Sequence, residues 1–372
     1  MLAVFSTQLG IPFISRYLTD LFPGEAVAVA ANDRHPLIGH SWRSPRPAFY
    51  IDDWRLRMSV RVRLRVGMKY QHLREAAIES FLKKHKVKVI LGEYLDFMYQ
   101  FVPLFDRLHI PYVVQGHGID VSAALRKPGM AGRYAVFQSA KAILVRCRVH
   151  RERLIDLGLS AERIFVNWGG VDLPSELLVK SEASRKRFLA VSRMDSKKGP
   201  IFLLEAFRRA FARDASISLD FVGDGPLYPA VQQFVTAMGL QDCVRLHGSA
   251  SEEEKYQLLR DCSVFVQHSV TDPVSGDEEG LPAAIQEAMA YGLSVVSTRH
   301  AGIPDAVEEG VSGYIVDERD VDGMADAMIS VLPEAHEMGM KGYELAKKHH
   351  SWQGEKDRLR KWLMIDFAKN LS

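Results

Sequence analysis

The sequence predicts an α/β protein made of two doubly wound, Rossmann-like domains. Three observations carry that prediction. The chain has 372 residues, the length of two ordinary domains. Short apolar runs of strand length recur along it, separated by stretches with helical spacing. Residue types able to bind and polarise a ligand fall just after those runs, at the edge where sheets of this kind hold their ligands. The expected division is 1–173 for the first domain, 174–350 for the second, and 351–372 for a terminal helix.

Composition bounds the function. The chain is 47% hydrophobic and 25% charged, as in a globular protein. A net charge of +2 does not argue for nucleic acid, and none is expected as a partner. Cys147, Cys243 and Cys262 are widely spaced, make no metal-ligand pattern, and are odd in number. A reducing, cytoplasmic setting is therefore expected. No run of about 18 apolar residues is present, and Met1–Phe13 lacks the basic leader of a signal peptide.

The first half opens with a strand at Met1–Ser6, then Gly10, helical spacing over Pro12–Leu21, and a second strand at Ala26–Ala31. Trp42–Arg74 is strongly basic: nine Arg or Lys residues face only Asp52 and Asp53. Apolar residues alternate with the charges from Leu56 to Val66, a spacing that leaves helix and strand both open. The residues fit contact with an anionic membrane surface or a lipid-linked acceptor, and they equally fit a solvated basic face. Lys86–Leu91 reads as a strand, Phe97–Leu108 as a helix, and Pro111–Gln115 as the strand leading to Gly116-His117-Gly118-Ile119-Asp120. His117 thus lies between two glycines at a strand's carboxyl end, which favours a binding role over a structural one. Asp120 either orients that loop or caps a helix, and capping is the default. A strand at Ala142–Leu144, a helix at Arg148–Leu157 and Arg163–Val166 complete this half, with Leu173–Arg185 as linker.

In the second half, strand Arg187–Val191 ends in a turn that carries Arg193, Lys197 and Lys198. Arg193 and Lys198 can both reach one point at the sheet's mouth, where two cations would neutralise a diphosphate. A solvated turn suits the lysines as well, but suits Arg193 less. Strand Ser218–Val222 precedes the turn Gly223-Asp224-Gly225-Pro226, which by itself is weak evidence for a ligand. Helices are read at Ile201–Ala212, Leu227–Met238 and Glu252–Leu259, with a strand at Val244–His247 before Gly248. Strand Ser263–Val270 leads to Asp277–Gly292, and Ser294–Thr298 is the next strand. Glu279 sits on the loop, Pro282 is placed as the first residue of a helix, Glu287 projects from that helix, and Gly292 lies just past its end. The amides of Gly280, Leu281 and the first turn suit an anion, and the two carboxylates suit hydroxyls of a sugar or ribose. The last helices are read at Asp320–Val331, Glu334–Lys348 and Ser351–Ala368.

The run EGLPAAIQEAMAYGLSVV, followed by AGIPDAVEEGVSGYIV at Ala301–Val316, resembles the signature of retaining family-four glycosyltransferases, also called group 1. Ser294 replaces a usual proline. His117-Gly118-Ile119-Asp120 is similar to the family's H-G-x-D motif, and Arg193 to Gly199 to its R-x4-K-G element. Trp168 stands where the family more often has a small or polar residue. The resemblance implies the GT-B architecture, in which two Rossmann-like domains face each other across a cleft. It implies a nucleotide diphosphate sugar as donor, a glycan or lipid-linked acceptor, no cofactor and no metal. It further implies that His117 contacts the donor sugar, Arg193 and Lys198 hold its phosphates, and Glu279 holds sugar hydroxyls. Glu287 would take the ribose, Gly280, Leu281 and Pro282 the anion, and Gly248 the side of the base. Gly10 would lie close to acceptor and donor. Surface-polysaccharide or glycoconjugate assembly follows, in the cytoplasm or at the inner face of the membrane.

Other classes were weighed on the residues. A nicotinamide dehydrogenase should show G-x-G-x-x-G after its first strand, and Met1–Ala31 lacks it. An inactive relative that binds glycans or serves as a scaffold, and a nucleotide-sugar epimerase of the same architecture, are the alternatives.

Overall fold

The computed structural model describes residues 1–8, 11–32, 44, 46–51, 70–177, 180, 184 and 186–364. Gly10, the helix-or-strand question over 54–66, and the end of the chain from 365 lie outside those residues. The chain divides into two compact units. The first comprises Met1–Val145, Arg151–Asn167 and the chain from Lys356; the second comprises Arg146–His150 and Trp168–Glu355.

In the first unit seven strands form one sheet: β1 (Leu2–Gln8), β2 (Ala26–Asn32), β3 (Ala48–Tyr50), β4 (Val89–Glu93), β5 (Tyr112–Gly116), β6 (Ala142–Val145) and β7 (Ile164–Val166). Their order is β3-β2-β1-β4-β5-β6-β7, and every pairing is parallel. The near-continuous apolar runs are explained by that topology: helices cover both faces, so successive side chains are buried whichever way they point. Phe5, Ile90, Val114 and Ile143 are fully or almost fully buried in one core with Phe101, Phe105 and Tyr134. Strand order reverses between β1 and β4, which opens a crevice at their carboxyl ends.

Two readings shift here. The strand expected at Lys86–Leu91 begins at Val89, because Lys86 takes a left-handed conformation (φ 50°) that closes the helix Tyr70–Lys84. The helix expected over Phe97–Leu108 is two pieces, Leu95–Met98 and Val102–Leu108. Pro103 has no amide hydrogen to donate back into the preceding turn, so the first piece cannot run on into the second.

The second unit holds six parallel strands: β8 (Arg187–Val191), β9 (Ser218–Val222), β10 (Val244–Gly248), β11 (Val264–Val266), β12 (Ser294–Thr298) and β13 (Gly313–Val316). The order β10-β9-β8-β11-β12-β13 puts the reversal between β8 and β11. One face is covered by Pro200–Arg213 and Val321–Ser330, through Leu203, Phe207, Met324 and Met328. The other is covered by Ala283–Ala290, through Ile285, Ala288 and Met289. The expected strand Ser263–Val270 is shorter. Beyond Val266 the chain leaves the ladder and stays buried, and the Val270 amide donates to the Lys197 carbonyl (2.8 Å) instead.

Two glycines hold the mouth of this sheet closed on itself. Gly199 (φ 54°) lies where a Cβ would stand 2.2 Å from the His268 carbonyl oxygen, and Gly223 (φ 141°) where it would stand 1.8 Å from that of Ser192. Backbone cannot yield as a flexible side chain can. Gly223→Ala is expected to lower the unfolding free energy by about 2 kcal/mol or more, read by urea denaturation. A loss under about 0.5 kcal/mol would contradict this account of the turn.

Candidate functional site

At the β8/β11 reversal the sequence-predicted residues assemble in part. The turn after β8 brings Lys197 and Lys198 to the loop between β11 and the helix Ala283–Ala290. Lys198 Nζ lies 3.1 Å from Glu279 Oε2. Lys197 Nζ lies 2.9 Å from Asp277 Oδ2 and 3.6 Å from Glu279 Oε1. Glu279 is 8% exposed. Burial by itself would push its carboxyl up; the Lys198 and Lys197 ammonium groups outweigh that and hold it below the usual range. Burial likewise pushes Lys197 down, and Glu279 and Asp277 more than reverse it. Lys197 is therefore part of the cluster and not a solvated residue of a lysine-rich turn.

The cluster has unused hydrogen-bonding capacity. Glu279 Oε1, Asp277 Oδ1 and Asp195 Oδ1 are buried oxygens with no hydrogen-bond donor among the described residues. Buried acceptors in native proteins are nearly always satisfied, so three in one cluster mark a place for donors from outside the chain. Burial raises the Asp195 carboxyl, and the two lysines oppose it. The amides of Gly280, Leu281, Ala283 and Ala284 also donate to no described residue. They stand at the start of Ala283–Ala290, where orphan N–H groups and the helix dipole favour an anion. Pro282 occupies the capping position, one residue before the helix proper, and its carbonyl accepts from Ile285 (3.1 Å) and Gln286 (3.4 Å). The side chain of Leu281 packs into the core.

A histidine that the sequence reading passed over holds the loop. His300, just past β12 and 1% exposed, accepts the Glu279 amide at Nε2 (3.0 Å). Its Nδ1 lies 2.6 Å from Glu318 Oε1, so Nδ1 carries the proton and donates. Glu318 in turn accepts from the Thr271 amide (2.9 Å) and hydroxyl (3.2 Å). The carboxyl-edge rule that singled out His117 would have found His300 too, since it follows the strand by two residues.

The other predicted residues stand apart from this cluster. Arg193 is largely exposed, and its ion pair is with Asp195 (3.8 Å). Glu287 pairs with Lys255 (2.8 Å), next to the stacked rings of Tyr256 and Tyr291. Gly248 ends β10 in a left-handed conformation (φ 61°), and its carbonyl accepts the Gly223 amide at 2.8 Å.

In the first unit His117 follows β5, as read from the sequence. Its Nε2 lies 2.6 Å from Glu93 Oε2, at the end of β4. Its ring packs between Phe13 and Tyr94, with centroids 5.0 and 4.6 Å away. Asp120, fully buried, plays both roles weighed for it. Oδ1 accepts from the His117 (2.8 Å) and Gly118 (3.1 Å) amides and orients the loop, and Oδ2 accepts from Leu95 (2.8 Å) at the start of a helix.

Residues 185–334 match the family model described as glycosyl transferases group 1. The chain is similar to the colanic acid biosynthesis glycosyltransferase WcaL of Salmonella typhimurium, at 32% identity over 59% of this chain and 58% of that protein. It is similar to the amylovoran biosynthesis glycosyltransferase AmsK of Erwinia amylovora, at 32% identity over 57% of this chain and 53% of that one. The chain thus spans just over half the length of these curated relatives. Among solved structures, Anabaena Alr3699/HepE in complex with UDP superposes with a TM-score of 0.78, covering 98% of this chain and all of that one at 17% identity. Sucrose-phosphate synthase from Thermosynechococcus elongatus superposes at 0.74, covering 99% and 100% at 16% identity. The fold is the two-domain α/β fold of these proteins.

The loop carrying Asp277 and Glu279 is pinned at Asp272. Its carboxylate accepts from the Ser196 hydroxyl, the Val274 amide (3.0 Å), and the Ser275 amide (2.6 Å) and hydroxyl (2.8 Å). The Ser196 and Ser275 bonds hold this carboxyl well below the usual range. A depressed folded value contributes stability above the unfolded value, about 3.9, that is lost as pH falls toward the folded one. Asp272→Asn should therefore be less stable than wild type from pH 5 to 7, with the gap shrinking steadily below about pH 4. Urea melts across that range check this; a gap independent of pH would mean the carboxylate's charge is not what holds the loop.

Proposed function

We propose that the chain is a glycosyltransferase that moves a sugar from a nucleotide diphosphate sugar to an acceptor hydroxyl in polysaccharide assembly. The observation that carries this is the cluster at the second sheet's mouth: two half-buried lysines against the buried Glu279, beside carboxylate oxygens and helix-start amides without donors or acceptors of their own. Sugar hydroxyls donate to the first, and phosphate oxygens accept from the second. The match of residues 185–334 to group 1 glycosyltransferases, and the UDP bound by the HepE protein, support the same donor class.

Breaking the bond between the anomeric carbon and the diphosphate builds negative charge on phosphate and positive charge on the sugar. Lys198, an Arg193 side chain free to swing in, and the amides of Gly280 and Leu281 stabilise the phosphate charge more as it grows. With that positive charge supplied by the chain, the reaction requires no metal and no cofactor. Glu279 holds hydroxyls of the donor sugar, and the Lys198 pair keeps it ionised until donor enters. Glu287 takes the ribose hydroxyls, with Lys255 as the partner it exchanges. His117 serves the sugar. The reaction retains configuration, and the departing phosphate removes the acceptor's proton, so no protein base is assigned. The acceptor is a glycan or a lipid-linked one, and the basic stretch 43–74 offers a contact with anionic lipid at the inner face of the membrane.

A thermal-shift screen against nucleotide diphosphates and their sugars, followed by assay of nucleotide release, tests the reading. Lys198→Ala, and separately Arg193→Ala, are expected to lower turnover about 100-fold or more, with the wild-type rate unchanged by chelator. Full turnover without both cations would remove them from the mechanism, and loss of rate with chelator would place a metal in it. Glu287→Ala is expected to raise the donor's KM about 10-fold with little change in kcat, since it removes binding common to ground and transition states. An unaltered KM would take the ribose away from Glu287.

A further inference from the structure

His117 does not stand on its neighbours alone. From its ring a chain of side-chain hydrogen bonds runs through the interior of the first unit to the last helix. Glu93 Oε2 meets His117 Nε2 at 2.6 Å. The other oxygen of Glu93, Oε1, accepts from Gln115 Nε2 at 2.9 Å. Gln115 Oε1 accepts from Asn167 Nδ2 at 3.3 Å. Asn167 Oδ1 accepts from Arg358 Nε at 3.1 Å. The three middle members are at most 1% exposed. They come from the ends of β4, β5 and β7, and Glu93 and Gln115 are direct partners in the parallel ladder.

The chain of bonds has a direction that its Arg358 end imposes. A guanidinium only donates, so the Asn167 carbonyl oxygen must face Arg358. The Asn167 amide nitrogen then faces Gln115 Oε1, which turns the Gln115 amide nitrogen toward Glu93. Both amides are then fixed in one orientation, each passing a donor inward. The last acceptor, Glu93 Oε2, is left to receive a proton from His117 Nε2. Bonds aligned in this way polarise one another, and they do so more in a buried setting than in water.

We propose that Glu93, Gln115, Asn167 and Arg358 are positioning residues for His117: from the far helix they fix its ring in one orientation with the proton on Nε2. This rests on the reading of His117 as a residue serving the sugar, but the arrangement itself can be tested without it. Among the described residues, Phe13 and Tyr94 also lie against the ring, and Asp120 takes the backbone amide.

The test is selective nitrogen-15 labelling of histidine, with the His117 signals assigned by their loss in His117→Asn. The ring shifts report the tautomer. Wild type is expected to show a single neutral tautomer protonated at Nε2. Glu93→Gln should lose that single state and admit the second tautomer. Arg358→Met should admit it to a smaller extent, and Arg358→Lys should bring the single tautomer back. Rescue by the conservative variant separates a directed relay from general loosening, which Arg358→Lys would not repair. In nucleotide release, Glu93→Gln should lower kcat about 10-fold with KM little changed. A single Nε2-protonated tautomer that persists in Glu93→Gln or in Arg358→Met overturns the relay. Arg358 is only half-buried, so its variants carry the test if Glu93→Gln does not fold. Spectra as expected with no release of nucleotide from any donor would leave the relay standing and sink the transferase reading instead.

Discussion

The pairing of Lys198 and Lys197 with Glu279 and Asp277 is the constraint on which the second unit's mouth depends. A buried carboxylate without partners takes up a proton; with two ammonium groups at hand it stays charged. That fixes the turn after β8 against the loop after β11, across the point where the strand order reverses. The glycines at 199 and 223, the Asp272 turn and the His300–Glu318 pair all serve the same end, bringing backbone close enough for those charges to meet. Removing one member of such a pair leaves the other charge buried alone, and this is why the cluster reads as a unit and not as four residues.

Both units solve one problem with the same tool. Each has a histidine near a strand's carboxyl end, and each histidine is fixed by a glutamate: His117 by Glu93, His300 by Glu318. The difference lies in what else each ring meets. His300 spends its unprotonated nitrogen on the Glu279 backbone and is structural to the loop. His117 packs against the aromatic rings of Phe13 and Tyr94.

The fold was legible because its signal is redundant. Strands such as Arg187–Val191, Ser218–Val222 and Ser294–Thr298 are short apolar runs bounded by turn residues, and they occur where read. The misreadings have two causes. At Gln267–Val270 the residue types suit a strand, but the Val270 amide bonds the distant Lys197 carbonyl, which no local pattern records; around Lys86 the Lys86 and Val87 amides close the preceding helix on the Lys83 and Leu82 carbonyls. At the site, Glu279 and Lys198 were legible from spacing within their own loops. Lys197, Asp277 and Glu318 were not, because burial converts an ordinary charged surface residue into part of a cluster only once two loops meet. Glu93 and Gln115 were hidden for a related reason: they are neighbours through the β4–β5 ladder, and their positions in the chain are far apart.

The three cysteines have a practical consequence. All are buried, and burial pushes the Cys243 thiol up and that of Cys262 up to about 12, so neither offers a thiolate to reagents at neutral pH. The native chain is thus a quiet background for maleimide chemistry. A single cysteine placed at Val274, 92% exposed at the tip of the loop that carries Asp277 and Glu279, would give a lone fluorescent reporter beside the lysine–carboxylate cluster without disturbing it.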